Sequence, residues 1–188
     1  MVLRAGALAL AACLASPVSS QTIEETVTQI KNAVDWSGRS SSNTEEITSV
    51  RVHEDGCTIR VGIELVPDGH RLSAQAMARV VDIDQNAIRI IDGQDWREVV
   101  LESAGNRTAW QTTLTMVASS PEIPEVRAAI ASGEAEGACA ADRCTIRNDE
   151  NRIEIPVFDR LTARQERALI TSFRNLAALC RQAATANR

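Results

Sequence analysis

Five cysteines and two histidines are the side chains of this 188-residue chain best suited to chemistry. Cys57, Cys139, Cys144 and Cys180 form an even set that can pair in an oxidising compartment, and four thiols allow three pairings. Cys139 and Cys144 are separated by Ala140-Ala141-Asp142-Arg143, a loop that closes without strain on either flank. Cys57 opens an alternation with Ile59, Val61, Ile63 and Leu65, so its thiol shares their inward face. Cys180 continues the stripe Leu169, Phe173, Leu176 at helical spacing. Both periodicities point these two thiols at one core, and the predicted bridges are Cys57–Cys180 and Cys139–Cys144. Redox catalysis would want Cys-x-x-Cys at a helix start, where the dipole lowers the thiol pKa. Here four residues intervene and a strand follows. Zinc is no better served: His53 and Cys57 straddle a turn, but no second pair has ligand spacing. No metal or cofactor is expected.

The histidines could serve a hydrolase. His53 or His70 would be the base of a loop-borne site, but no Ser or Cys nucleophile with a positioned base accompanies them, and Ser73 alone establishes none. No nucleophile elbow accompanies them. Asp82-Ile83-Asp84-Gln85-Asn86 begins like a calcium loop, but position six is Ala87 and position twelve is Gly93, where Gly and Glu belong. A turn accounts for these residues equally well. Adjacent carboxylates such as Glu24/Glu25, Glu45/Glu46 and Glu54/Asp55 read as solvated surface, because only burial raises a carboxyl to acid–base use. No Gly-rich phosphate loop follows a strand. Asn106-Arg107-Thr108 has the form of a glycosylation sequon and reads as a turn.

The start of the chain supplies the compartment that the cysteines need. Met1 to Arg4 is short and basic, Ala5 to Ala15 is small and apolar, and Ser16-Pro17-Val18-Ser19-Ser20 follows. That is the layout of a secretory signal over residues 1–20, preceding one disulfide-bonded domain over 21–188. The apolar run falls well short of the roughly 20 residues that span a bilayer. Leu10-Ala11-Ala12-Cys13 resembles a bacterial lipobox, which makes Cys13 a lipidation candidate and an outer-membrane lipoprotein the alternative address. Cleavage near Ser20 gives a signal of ordinary length and is the favoured reading: a periplasmic or secreted protein.

Setting Arg4 aside lowers the 20 basic residues to 19 against 25 acidic ones, a net charge of −6. Lys31 is the only lysine, a usage that reads as GC-rich bacterial coding. An acidic chain without a basic cluster is a poor nucleic-acid binder, since that affinity rests on phosphate neutralisation. Anionic lipid surfaces are disfavoured for the same reason. No Tyr, two Phe and three Trp give little for a stacking platform. Trp96 and Trp110 lie in strand patterns and are expected in the core; Trp36 would join a binding face only if all three were exposed together.

These residues need elements to hold them. Thr22 and Glu25 form a capping box, and Ile23, Val27, Ile30 and Val34 share a helical face, predicting a helix from Ile23 to Val34. A polar connector follows over Ser37–Asn43. Ile47–His53 and Cys57–Leu65 read as a hairpin across Asp55-Gly56. Strands are predicted over Met77–Ile83, Ala87–Ile91, Trp96–Glu102 and Ala109–Ala118, between turn residues. Ser120–Ser132 is expected to hold a short helix, and Gly133–Ala141 to be a surface loop. Cys144–Arg147 and Arg152–Val157 read as a last hairpin across Asn148-Asp149-Glu150-Asn151. Thr162 and Gln165 then open a long terminal helix. Cys-Thr-Ile-Arg occurs at 57–60 and 144–147 without similar flanks, too short for a structural repeat.

The fold class expected is α+β: an antiparallel sheet of seven to eight strands, sandwich or barrel-like, covered by an N-terminal and a C-terminal helix. The leading functional expectation is an exported non-catalytic envelope module that binds a protein or small ligand. The alternative is the periplasmic hydrolase using His53 or His70.

Overall fold

The computed structural model describes residues 21–39, 45–53, 57–66, 71–93, 96–117, 123–157 and 161–186. The signal segment 1–20 with Cys13, and His70, lie outside the described residues. Among the described residues, two long helices bracket ten strands. They are α1 (Ile23–Val34) and α3 (Ala163–Ala186). Between them run β1 (Trp36–Arg39), β2 (Glu45–Val52), β3 (Thr58–Val66), β4 (Leu72–Arg79), β5 (Arg89–Asp92), β6 (Arg97–Glu102) and β7 (Trp110–Val117). A short helix α2 (Ile123–Ser132) precedes β8 (Glu136–Cys139), β9 (Arg143–Glu150) and β10 (Arg152–Val157). The α+β architecture has antiparallel sheets with a helix at each end of the chain, and the strands divide between two sheets. Seven lie in the order β1-β2-β3-β4-β7-β9-β8, and three in the order β10-β6-β5. The larger sheet is open, with β1 and β8 at its edges.

Both long helices start where side chains satisfy their first free amides. Thr22 Oγ1 accepts from the Glu25 amide at 3.1 Å, and the Glu25 carboxylate accepts from the Thr22 amide at 2.9 Å. At α3, Gln165 Oε1 accepts from the Thr162 amide at 2.8 Å and Thr162 Oγ1 accepts from the Gln165 amide at 3.3 Å. The helices run antiparallel against each other: Ser172 Oγ donates to Gln29 Oε1 and Asn175 Nδ2 donates to Gln21 Oε1. Their apolar stripes, Ile30 and Val34 on one and Leu169, Phe173, Leu176 and Cys180 on the other, are buried in the main core.

The large sheet is two-faced because its strands alternate. Register places Val50, Val61 and Ala76 in one row and Val52, Ile59 and Ala78 in the next. These side chains meet the helices, with Val50, Ile59 and Val61 almost wholly buried. Ser49, Arg51, Arg60, Gln75, Thr113 and Arg147 alternate with them and face the other way. The small sheet contributes Val99, Leu101, Ile153, Ile155 and Val157 to the same core, and Trp110 completes it from β7. Full burial of each such side chain contributes ~1.5–3 kcal/mol. A second, smaller core forms at the far end of the large sheet, where α2 lies on β8 and β9. It contains Met116, Ile123 and Cys144, with Leu72, Leu114, Val126, Cys139 and Ile146 around them.

Four local expectations are corrected. Asn148-Asp149-Glu150 is strand, and β9 and β10 do not form a hairpin: β9 pairs with β7 and β8, while β10 pairs with β6 in the other sheet. Only Asn151 separates them, so the chain crosses between sheets there. Gly133–Ala141 is not all loop but contains β8. The connector after α1 begins as β1, whose Trp36, Ser37 and Gly38 pair with Thr48, Ile47 and Glu46. The strand expected to reach Ile83 stops at Arg79, where a 3-10 turn, Val80–Asp82, buries Val80 beneath α3.

Candidate functional site

The disulfides brace this architecture. Cys57, just before β3, is bonded to Cys180 of α3 with 5.5 Å between their Cα atoms. Cys139 and Cys144 face each other across the β8–β9 hairpin at a Cα separation of 4.1 Å. All four thiols are spent, so none of them is a nucleophile or a metal ligand. His53 is exposed just past β2, where its amide donates to Thr58 O at 2.9 Å and closes the hairpin. The zinc arrangement of His53 with Cys57 is therefore closed off by the disulfide. Ser73 faces outward on β4, paired with Glu64 and Thr115.

The calcium-like segment is occupied with docking the chain to α3. Asp84 Oδ1 accepts from the Asn86 amide at 2.9 Å, the geometry of an Asx turn. Arg174 Nε donates to Gln85 O at 3.0 Å, Gln85 Nε2 donates to Arg174 O at 3.1 Å, and Arg181 donates to Ile83 O at 2.9 Å. Asp82 pairs with Arg79 at 3.4 Å. Among the described residues, no three His, Cys, Asp or Glu side chains converge as metal ligands.

The concavity with mixed polar and apolar walls lies between α1 and α3. It encloses about 520 Å³. Gln29 and Asn32 come from α1, Gln165 and Ser172 from α3, and Leu161 and Leu169 supply apolar wall, with small Ala33 and Ala168 leaving the space open. The antiparallel crossing explains the shape. The helices touch at Ser172–Gln29 and again at Asn175–Gln21, and the cleft lies on the side of Ser172–Gln29 towards the C-terminal end of α1 and the N-terminal end of α3. Among the described lining residues none titrates in the physiological range. Glu166, beside Gln165, pairs with Arg97 of β6, which also holds Asp92 at 3.1 Å. Such a cleft can bind by amide and hydroxyl hydrogen bonds over an apolar floor.

Titratable groups are brought together on the outer face of the small sheet. Glu98 of β6 and Glu154 of β10 are diagonal neighbours across the ladder and hydrogen-bond through their carboxyl groups. Desolvation, and then the charge of Glu154, push the Glu98 carboxyl above its ordinary range, against the pull of the Trp96 indole hydrogen bond and of Arg152. Arg152 pairs with Glu154, and Arg89 with Glu102 at 2.6 Å. The face is only partly open: Glu98, Glu102 and Glu154 are half-buried, and Val100 and Pro156 between them are buried. Sequence reading did not connect Glu98 with Glu154, because only strand pairing brings them together.

The tryptophans separate. Trp110 is wholly buried, as its strand pattern implied, whereas Trp96 and Trp36 are half-buried at different places in the fold. Gly38 explains the position of Trp36: a Cβ there would meet the Trp36 ring at 2.4 Å, so the ring lies over the glycine. Among the described residues no helix is long and apolar enough to cross a membrane. The chain matches no protein-family model, no curated protein and no solved structure.

Proposed function

We propose that this protein is an exported, non-catalytic envelope module that binds a small uncharged ligand, or the tip of a partner protein, in the cleft between α1 and α3. The observation that carries this reading is the lining: amide, hydroxyl and aliphatic groups on two rigid helices, with no ionisable residue among those described. Binding sites are largely preformed and apolar with a few fixed polar groups, and this cleft has that composition. Both walls are held in place. α3 is tied to the sheet by Cys57–Cys180 and α1 to α3 by the Ser172–Gln29 contact. Two disulfides suit an oxidising periplasmic or extracellular address, and the sequence of residues 1–20 suits export to it. A lipid anchor at Cys13 is the alternative placement and leaves the cleft unchanged.

Native mass spectrometry of protein recovered from its own envelope tests the proposal, using wild type and Ala168→Trp, a variant that fills the cleft from an exposed helix position. A small molecule retained by wild type and lost from the folded variant is the expected result. Equal retention by both proteins, or none by either, contradicts it. Esterase or peptidase turnover that falls in His53→Ala would replace binding with the hydrolase reading.

A further inference from the structure

The far edge of the large sheet is unfinished. β9 pairs with β7 along its whole length, from Arg143 to Glu150, but β8 covers it only from Cys144 to Arg147. The chain does not extend β8 backwards because it is claimed by α2. Gly133 turns with φ +80°, and the amides of Glu134 and Ala135 both donate to Ala129 O, at 2.9 and 3.1 Å. Ladder phase shows what this leaves open. Cys139 and Cys144 stand opposite at 4.1 Å between Cα atoms, the close spacing of a non-hydrogen-bonded pair. The bonded pairs are then 138 with 145 and 136 with 147. The next outward-directed residue on β9 is Asp149, whose N–H and C=O have no ladder partner among the described residues. Asn148 points the other way, its carbonyl accepting from Thr112 Oγ1 at 3.1 Å on the β7 side.

Beside this gap runs a groove of about 600 Å³, lined among others by Gln111, Thr113, Glu134, Glu136, Arg147 and Asp149. It adjoins a smaller hollow along β8, over Gly137, Ala138 and Thr145. Glu134, Glu136 and Asp149 are exposed and, among the described residues, form no ion pair; Arg147 is the one cation among the six. β8 is itself blunted by being only four residues long and by Glu136, so what it leaves bare is the stretch of β9 beyond Arg147.

We infer that the β8–β9 edge is a strand-addition site for an extended segment of a partner protein carrying basic side chains at alternate positions. The backbone of Asp149 opens the ladder, and Glu134, Glu136 and Asp149 receive the cations. A second copy of this chain fits less well. Antiparallel pairing of two β8 edges about Ala138 sets Glu134 opposite Asp142 of the other copy, like charge against like.

A fluorescein-labelled peptide alternating Arg and Val, and its counterpart with Glu for Arg, provide the probe. The Arg peptide is expected to bind, to weaken with added salt, and to slow hydrogen exchange at the Asp149 amide; the Glu peptide is not expected to bind. Asp149→Pro removes an outward N–H without touching the β7 ladder, and should weaken binding about tenfold, the worth of one well-made main-chain bond and the register it sets. Because proline could disturb β9 itself, Glu134→Arg/Glu136→Arg is the second variant. It keeps the backbone and should abolish the preference for the Arg peptide. No binding, equal binding of both peptides, or an unchanged Asp149 amide overturns the inference. So does a chain that dimerises and excludes the peptide as it does so.

Discussion

Cys57 and Cys180 stand 5.5 Å apart at their Cα atoms and join the start of β3 to the last helix across 123 residues of chain. The bridge constrains the unfolded chain far more than its neighbour does, since Cys139–Cys144 spans only 5 residues. In the chain-entropy description the long loop contributes ~5 kcal/mol and the short one ~2. The double variant Cys57→Ala/Cys180→Ala should therefore lower Tm more than Cys139→Ala/Cys144→Ala, measured by circular dichroism. A larger loss from the hairpin pair would contradict this.

The two cores predict a different kind of sensitivity. Met116, Ile123 and Cys144 form a small cluster separate from the main one, so α2, β8 and the adjoining end of β9 should open locally. Cys139→Ala/Cys144→Ala should speed hydrogen exchange in Ile123–Ser132 and Glu136–Cys139 while amides in α1 and α3 keep their protection. Uniform acceleration through the chain would show that the cores are one cooperative unit.

Leu176 lies on the buried stripe of α3 with no exposed surface. Leu176→Ala should cost ~2–5 kcal/mol, the range for a buried leucine that leaves a cavity. Leu179, half-buried on the same helix, should cost less. Chemical denaturation of both variants checks the order, and equal midpoints would contradict the helix orientation.

Glu98 sets a pH dependence. Its carboxyl is raised in the folded protein, first by desolvation and then by Glu154. A raised folded pKa means that its contribution is fully present below the unfolded value and is lost as pH rises through the folded one. Glu98→Gln keeps the protonated form's charge at every pH. It should match wild type near about pH 4 and melt higher than wild type near about pH 7. A difference in Tm that does not change between these conditions would remove Glu98 as the cause.

What the sequence made legible was what is decided locally. The capping pairs Thr22/Glu25 and Thr162/Gln165 marked both long helices, and alternation from Ile59 to Leu65 marked β3. The inward phase of Cys57 and Cys180 needed only those two periodicities. What stayed hidden was decided by distant pairing. Asn148-Asp149-Glu150 has turn chemistry, yet β7 holds it as strand, and one intervening residue sends β10 to another sheet. β8 is small and acidic because an edge strand packs only one side and needs little apolar alternation. The cleft was invisible for a related reason. Gln29, Asn32 and Gln165 look like the solvated face of any amphipathic helix until a second helix packs beside them.

The binding reading is met most directly by the amide side chains that line the cleft. Two-dimensional NMR of the protein, titrated with a small-molecule extract of its own envelope, should move the side-chain signals of Asn32 and Gln165 together with the Ala33 and Leu169 amides. Those shifts should vanish in folded Ala168→Trp. Signals that stay still throughout, or shifts of the same size in the plugged variant, would contradict a ligand site between α1 and α3.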